Sequence, residues 1–337
     1  MATIKDVARL AGVGLGTASR VVSGKGSVSP ATLAKVRQAI EQLDFRPSHA
    51  ARTLLSGSSR MIGVYIPVLS GTFYTPILQI IDTELRAAGL HMVVAFGVGE
   101  GDARRQAIEG IEFLVERGCD GLIVMSSALL EEDVLALGAR QSDLVMLNHG
   151  FDSLPGQCFT VDHQLGGQVA ARALLEHGHR RIALVSGPPT LPDNAARIGG
   201  FLAELERGGL NTTSLWRCDG DFSPAGGWAA AKAWHASGHD ASAMFCANDE
   251  MAVGALSYFQ EAGIRVPHEL SVLGYDDTPS AAFSAPRMST VHMPWREMTL
   301  NGINALLNRC YELDRPVTRK FPVSITLRAS LTRSSIT

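Results

Sequence analysis

Arg20 ends a short run, Leu15-Gly16-Thr17-Ala18-Ser19-Arg20, whose outward residues have the chemistry of DNA contact. A guanidinium fork donates two hydrogen bonds to guanine O6 and N7, a pairing that discriminates by about 1–3 kcal/mol, whereas Leu15 offers only an apolar contact, such as with a thymine methyl. Gly16 offers no side chain and costs its helix about 1 kcal/mol relative to alanine. Presenting these residues requires a helix from about Leu15 to Ser23 with Ala18, Val21 and Val22 turned inward. A first helix precedes it: Thr3 is a good cap, Asp6 stands at the capping-box position, and Ile4, Val7, Ala8 and Leu10-Ala11 recur at helical spacing until Gly12 breaks the pattern. Two helices so closely joined read as a helix-turn-helix, with Gly14 a moderate cap for the second. Ser29-Pro30 opens a third helix, whose expected buried stripe is Leu33, Val36, Ile40 and Leu43.

Charge agrees with that reading. Residues 1–60 carry nine Lys/Arg and three Asp/Glu in a chain of formal net charge -3, so a basic head is joined to an acidic body. The 337 residues, 46% hydrophobic and 19% charged, suffice for more than one globular domain. The N-terminus lacks an apolar signal-like stretch and no apolar run approaches the roughly 18 residues of a membrane span, so a cytoplasmic location is expected. Five scattered cysteines have neither disulfide nor zinc spacing and are expected to be mostly small buried hydrophobes. No metal or cofactor is expected. Enzyme signatures fail: in Gly97-Val-Gly-Glu-Gly101 the third phosphate-loop glycine would fall at Asp102, adjacent Asp276-Asp277 need not converge as an acid/base pair, and no Gly-x-Ser-x-Gly is present.

Pro47-Ser-His-Ala-Ala-Arg-Thr-Leu-Leu-Ser-Gly57 reads as a helix of about eight residues, too short to hold alone and expected to order when paired across a dimer on DNA. Beyond residue 60, short apolar runs alternate with helical stretches. The expected strands are 62–66, 91–96, 121–125, 144–147, 182–185, 243–246 and 271–275, and Gly89, Gly118, Gly178 and Gly263 end helices just before strands. The same unit recurs in both halves. This predicts two similar parallel-sheet lobes with a cleft between them.

The N-terminal run, together with Cys246-Ala-Asn-Asp-Glu-Met-Ala-Val-Gly-Ala255 and Leu270-Ser-Val-Leu-Gly-Tyr-Asp-Asp277, closely resembles the lactose/galactose repressor (LacI/GalR) family of bacterial transcription regulators. The resemblance implies an α/β core of two Rossmann-like lobes, periplasmic-binding-protein-like, with an N-terminal all-α helix-turn-helix DNA-binding headpiece. The headpiece would span 1–46, a hinge helix and linker 47–60, and an effector-binding and dimerisation core 61–337. Within the core the N-lobe would take 61–161 and 292–321, and the C-lobe 162–291 and 322–337, with the chain crossing between lobes near Asp162, Val291 and Phe321. DNA contacts are implied for Thr3, Leu15, Gly16, Thr17, Ser19, Arg20 and Ser29, and for His49, Ala51, Arg52 and Leu54 of the hinge, where Leu54 matches a minor-groove wedge.

For the effector, Asp162, Arg197, Asn248 and Asp276 match the family's ligand contacts, with Phe73 and Phe222 as apolar walls and Ser70 and Tyr74 at the rim. Their donors and acceptors suit a sugar. Asn248 and Asp276 also read as turn residues, Asp249 as the cap of the following helix, and Leu191 speaks against a charged effector. The expected function is a homodimeric, ligand-responsive repressor of carbohydrate uptake or catabolism genes, binding a pseudo-palindromic double-stranded DNA operator. The alternative is a carbohydrate-binding protein without DNA-binding activity.

Overall fold

The computed structural model describes residues 2–23, 27–45, 57–98, 101–140, 143–151 and 153–334. The chain divides into two compact units, residues 1–61 with 118–120, and residues 62–117 with 121–337. In the first, Thr3 accepts from the Asp6 amide while the Asp6 side chain accepts from the Thr3 amide, and this capping box starts α1 (Ile4–Ala11). Gly12 takes the left-handed φ of 65° that the turn into α2 (Leu15–Ser23) demands. Ser29 caps α3 (Pro30–Gln42) by accepting from the Thr32 amide.

The core of this unit is Val7, Ala11, Val36, Ala39 and Phe45. Two expectations are corrected here. Leu10 is half exposed, because it falls at the margin of the stripe formed by Ile4, Val7, Ala8 and Ala11. On α3 the small Ala39 is buried beside Val36, while Leu33, Ile40 and Leu43 are only partly covered.

The second unit holds two sheets built from alternating strands and helices. The first half runs β1 (Met61–Ile66), α4 (Tyr74–Ala87), β2 (His91–Phe96), α5 (Ala103–Glu116), β3 (Gly121–Val124), α6 (Glu131–Arg140), β4 (Leu144–Leu147) and β5 (Cys158–Phe159), in sheet order β2-β1-β3-β4-β5. The second half runs α7 (His163–Glu176), β6 (Ile182–Ser186), α8 (Pro192–Arg207), β7 (Trp216–Asp219), α9 (Pro224–Ser237), β8 (Ala243–Cys246), α10 (Asp249–Glu261), β9 (Ser271–Asp276), α11 (Pro279–Phe283), β10 (Ser289–His292), α12 (Trp295–Tyr311) and β11 (Ser324–Thr326), in order β11-β10-β9-β8-β6-β7. The pairs β1–β3, β3–β4, β4–β5, β6–β7, β6–β8, β8–β9 and β9–β10 are parallel, and β10–β11 is antiparallel. All seven expected strands are present, with ends shifted by a residue at most. Four were not expected: β5 has two residues, β7 is a half-buried edge, β10 is built of Ser and Thr as much as Val, and β11 is a short edge.

After β10 the chain returns to the first sheet, where α12 covers β3, β4 and β5, before ending in β11 of the second. Strand order reverses between β1 and β3 and again between β6 and β8, and in open α/β sheets ligands bind beyond the strand C-termini at such switch points. No helix among the described residues is long and apolar enough to cross a membrane. Cys119 and Cys246 are buried, but Cys158, Cys218 and Cys310 are only partly so, fewer than the sequence suggested.

The second lobe depends on helices packed at backbone distance. A Cβ on Gly167 of α7 would lie 1.9 Å from the Arg197 carbonyl of α8, and one on Gly200 would lie 2.0 Å from the Gln164 carbonyl. Gly199, one residue away, faces open space. Gly167→Ala is therefore expected to lower stability by about 1–3 kcal/mol through overpacking, while Gly199→Ala should raise it by up to ~1 kcal/mol through helix propensity. Calorimetric melting of the two variants checks the opposite signs.

Candidate functional site

On α2, Leu15 is 47% exposed, Gly16 and Arg20 are exposed, and Thr17 and Ser19 are half-buried, while Ala18 is fully buried beneath them. The Arg20 Nε–H donates to the Gly16 carbonyl at 3.3 Å, which draws the guanidinium along the outer face toward the helix start. The hydroxyls of Thr3 and Ser29 are engaged in their own caps, with Asp6 and Thr32 respectively. His49, Ala51, Arg52 and Leu54 lie outside the described residues.

In the larger unit, the residues that follow strand C-termini form two walls. Phe73 and Tyr74, after β1, meet edge to face with centroids 4.9 Å apart, and Phe73 meets Trp295 likewise at 4.6 Å. With Met125, Ser126, Ser127, Leu147 and Asn148 they line a cavity of about 20 Å³, the space of one water. Opposite stand Phe222, Asn248 and Asp276. Phe222 has a left-handed φ of 65° and lays its ring over Gly187, while Asn248 donates to the Phe222 carbonyl at 3.0 Å.

Arg197 is 3% exposed. It donates to the Ala247 carbonyl, and its guanidinium lies 3.8 Å above the Tyr275 ring and 5.8 Å from the Phe222 ring. Its Nε has no partner. Asp276, 6% exposed and at φ 115°, ends β9 nearby. Burial pushes its carboxyl well above the ordinary range, Arg197 pulls it back, and Asp249, Asp193 and Glu250 push it up.

Among the described residues, seven buried side-chain N or O atoms lack a hydrogen-bond partner, and four of them surround this region: His149 Nε2, Asp193 Oδ1, Arg197 Nε and Trp295 Nε1. Their nearness is evident electrostatically, since the Asp193 carboxylate acts on Tyr74, His149, His163, Tyr275 and Asp276. Each such orphan costs about 1–3 kcal/mol, so their clustering makes this cleft the candidate site. A larger groove of about 550 Å³, lined by Arg180, Arg181, Leu210, His239 and Asp240, lies at the opposite strand ends and contributes only His239 Nδ1 to the seven. Convergent polar atoms outweigh volume here, and the cleft is the better site.

Two sets of contacts join the walls. The Glu250 carboxylate of α10 accepts from the Thr72 amide and from Thr72 Oγ1 at 3.1 Å, and Thr72 Oγ1 meets Ser280 Oγ at 2.8 Å. Deeper in, Asn148 Oδ1 lies 3.1 Å from His163 Nε2.

Of the residues singled out from sequence, Phe73, Tyr74, Phe222, Asn248 and Asp276 are at strand ends or helix starts beside these walls, and Arg197 reaches them from the second turn of α8. Asp162 is exposed and caps α7 by accepting from the Leu165 amide at 2.8 Å, and Ser70 is exposed on the loop after β1. The helix after β8 is capped by Asn248, whose Oδ1 accepts from the Met251 amide at 2.9 Å, and not by Asp249 as expected. Asp249 is fully buried and accepts instead from the Thr278 amide, Thr278 Oγ1 and Thr290 Oγ1. Asp277 turns away from Asp276 to Arg328, His292 and Thr326. Asn148, His149, His163, Asp193 and Trp295 were missed. Asn148 and His149 directly follow an expected strand, which was the available signal.

Residues 3–48 match the family model of bacterial regulatory proteins, lacI family, and residues 171–331 match that of the periplasmic binding protein-like domain. The HTH-type transcriptional repressor PurR of Photobacterium profundum is 33% identical over 311 residues, 92% of each chain. A LacI-family transcriptional regulator from Burkholderia phymatum, known from its crystal structure, is 45% identical with a TM-score of 0.78, over 81% of this chain and 99% of that one. The lac repressor dimer, solved bound to operator and the anti-inducer ONPF, is 28% identical with a TM-score of 0.82, over 98% and 99%. With a helix-turn-helix head, a two-lobed periplasmic-binding-protein-like core and near full-length relatives, the chain belongs to the LacI family of bacterial regulatory proteins and is a DNA-binding transcriptional regulator.

Proposed function

We propose that the protein is a homodimeric repressor of carbohydrate uptake or catabolism genes, cytoplasmic, and released from or fastened to a pseudo-palindromic operator by a neutral polyhydroxyl effector held between the lobes. The observation that carries the effector class is the mixed set of unpartnered buried atoms. Arg197 Nε and Trp295 Nε1 can only donate, Asp193 Oδ1 accepts, and His149 Nε2 is a ring nitrogen of a histidine that burial holds below its ordinary pKa. A hydroxyl both donates and accepts, so a sugar can serve all four. An anion meets Asp193 and Glu250 beside the buried Arg197, and like charges disfavour it. Phe73, Phe222 and Trp295 supply apolar faces for a ring. The water-sized cavity means that a sugar enters only when the lobes part, and the contacts of Thr72 with Glu250 and Ser280, together with the Asn148–His163 hydrogen bond, are what parting must break.

Thermal-shift binding against D-glucose, D-galactose, D-ribose and cellobiose, with glucose 6-phosphate and hypoxanthine as counter-ligands, tests the class. A neutral sugar at a hundred times its Kd should stabilise by about 2.7 kcal/mol. Stabilisation by the phosphate or the base alone defeats the proposal. Arg197→Ala should lose the shift while the protein still binds an operator selected from random duplex DNA.

On that selected operator, Arg20→Ala should relax preference at one position per half-site by about 1–3 kcal/mol, read by affinity for single-base variants. Uniform weakening across all variants would mark Arg20 as a phosphate contact instead.

For dimerisation the candidate contact is Phe283, 88% exposed at the end of α11. Phe283→Asp should yield monomers in sedimentation velocity and lose operator affinity. A dimer unchanged by that substitution places the interface elsewhere.

A further inference from the structure

We propose that His163 is a positioning residue of the effector site, a neutral imidazole that ties the Arg197 guanidinium to the Asn148 amide and so sets the ligand-facing groups of the two lobes together. It rests on the reading of the cleft as the effector site, but its geometry stands apart from any ligand. His163 opens α7 and is 7% exposed. Its Nδ1 lies 3.4 Å from Arg197 Nη2 and 3.4 Å from the Tyr275 hydroxyl, while its Nε2 lies 3.1 Å from Asn148 Oδ1.

The protonation pattern follows from what each partner can do. A guanidinium only donates, so Nδ1 must offer its lone pair. The hydrogen of a neutral ring is then on Nε2, and it donates to Asn148. This in turn fixes the orientation of the amide, since only Oδ1 can accept, and leaves Asn148 Nδ2–H for the cavity that Asn148 lines with Phe73, Tyr74 and Ser126. A second proton would point from Nδ1 at the guanidinium. The charged and titratable groups around the ring agree: burial and Arg197 hold His163 down to about 3, His149 adds to this, and Asp193 opposes it. His163 is thus a fixed connector, not a pH sensor.

The path it completes runs from the end of β4 through Asn148, His163 and Arg197 to the Ala247 carbonyl beyond β8, so it begins on one sheet and ends on the other. Close packing supports it from behind, because the Gly167 contact with the Arg197 carbonyl holds α8 against α7. Without the ring, Arg197 keeps its contacts within the second lobe but loses register with the first.

The test has two arms on the full-length protein. In long-range proton–nitrogen spectra with labelled histidine, the resonance absent from His163→Asn should be the Nε2–H tautomer and should not titrate between pH 8 and pH 5. The Nδ1–H tautomer, or titration within that window, overturns the proposal. The second arm is a double-mutant cycle of Asn148→Ala and His163→Ala, read as affinity for whichever of D-glucose, D-galactose, D-ribose or cellobiose binds the wild type best. His163→Ala should weaken binding at least tenfold, the double variant by less than the product of the two single losses, and His163→Gln, which can still donate to Asn148, should recover to within threefold. Additive losses, or a glutamine no better than alanine, overturn it. Should none of the four sugars bind the wild type, the effector reading fails on its own, and the cycle read as melting temperature, with the spectra, still decides the role of His163.

Discussion

A guanidinium does not shed its proton in a protein, so a guanidinium held almost wholly out of water must be paid in contacts, and Arg197 is such a group. The Tyr275 face, the Ala247 carbonyl and the His163 lone pair each satisfy part of it, and Asp276 lies within the reach of its charge. Each of these groups has to be held in turn. Asp249 fastens the start of α10 to Thr278 and Thr290, which sets the strand ends carrying Asp276 and Asn248. Asp276 itself tolerates a φ of 115°, a backbone conformation that surrounding structure must enforce.

The second lobe uses glycine where two helices meet. The α7–α8 crossing brings backbone to backbone at Gly167 and Gly200, and α9 meets α10 in the same manner, where a Cβ on Gly227 would lie 2.0 Å from the Met251 carbonyl. Such contacts leave little freedom to slide. A binding site built on packed helix pairs keeps its polar atoms at fixed positions, and orphaned donors and acceptors can then await a ligand without collapsing on one another. The joint between the sheets is made differently, by polar contacts from Thr72, Asn148 and their partners.

Much of this molecule was legible before any tertiary structure. Thr3 and Asp6, Gly12, and Ser29 with Pro30 mark helix ends through contacts made within a few residues, so the headpiece helices could be read directly. The seven strong strands announced themselves as buried apolar runs. Leu10 and the stripe on α3 were misjudged because helical spacing says which side faces in, not which residue at its margin is covered. The strands β5, β7, β10 and β11 escaped because edges and polar pairs carry little apolar signal.

The site divides along the same line. Arg197, Asn248, Asp276 and the aromatic residues could be named through the resemblance to the family, and the basic head and acidic body from charge alone. By itself the sequence thus determined the headpiece helices, the seven apolar strands, the parallel duplication and the class of regulator, because these depend on local periodicity and short motifs. Only the tertiary structure decided that Asp249 supports the floor while Asn248 caps the helix, that His163 links Asn148 to Arg197, and that His149, Asp193 and Trp295 leave buried polar atoms around one cleft. Those are statements about which groups remain unsatisfied once distant segments have met, and burial with partnership is a property of the packed chain that no local window contains.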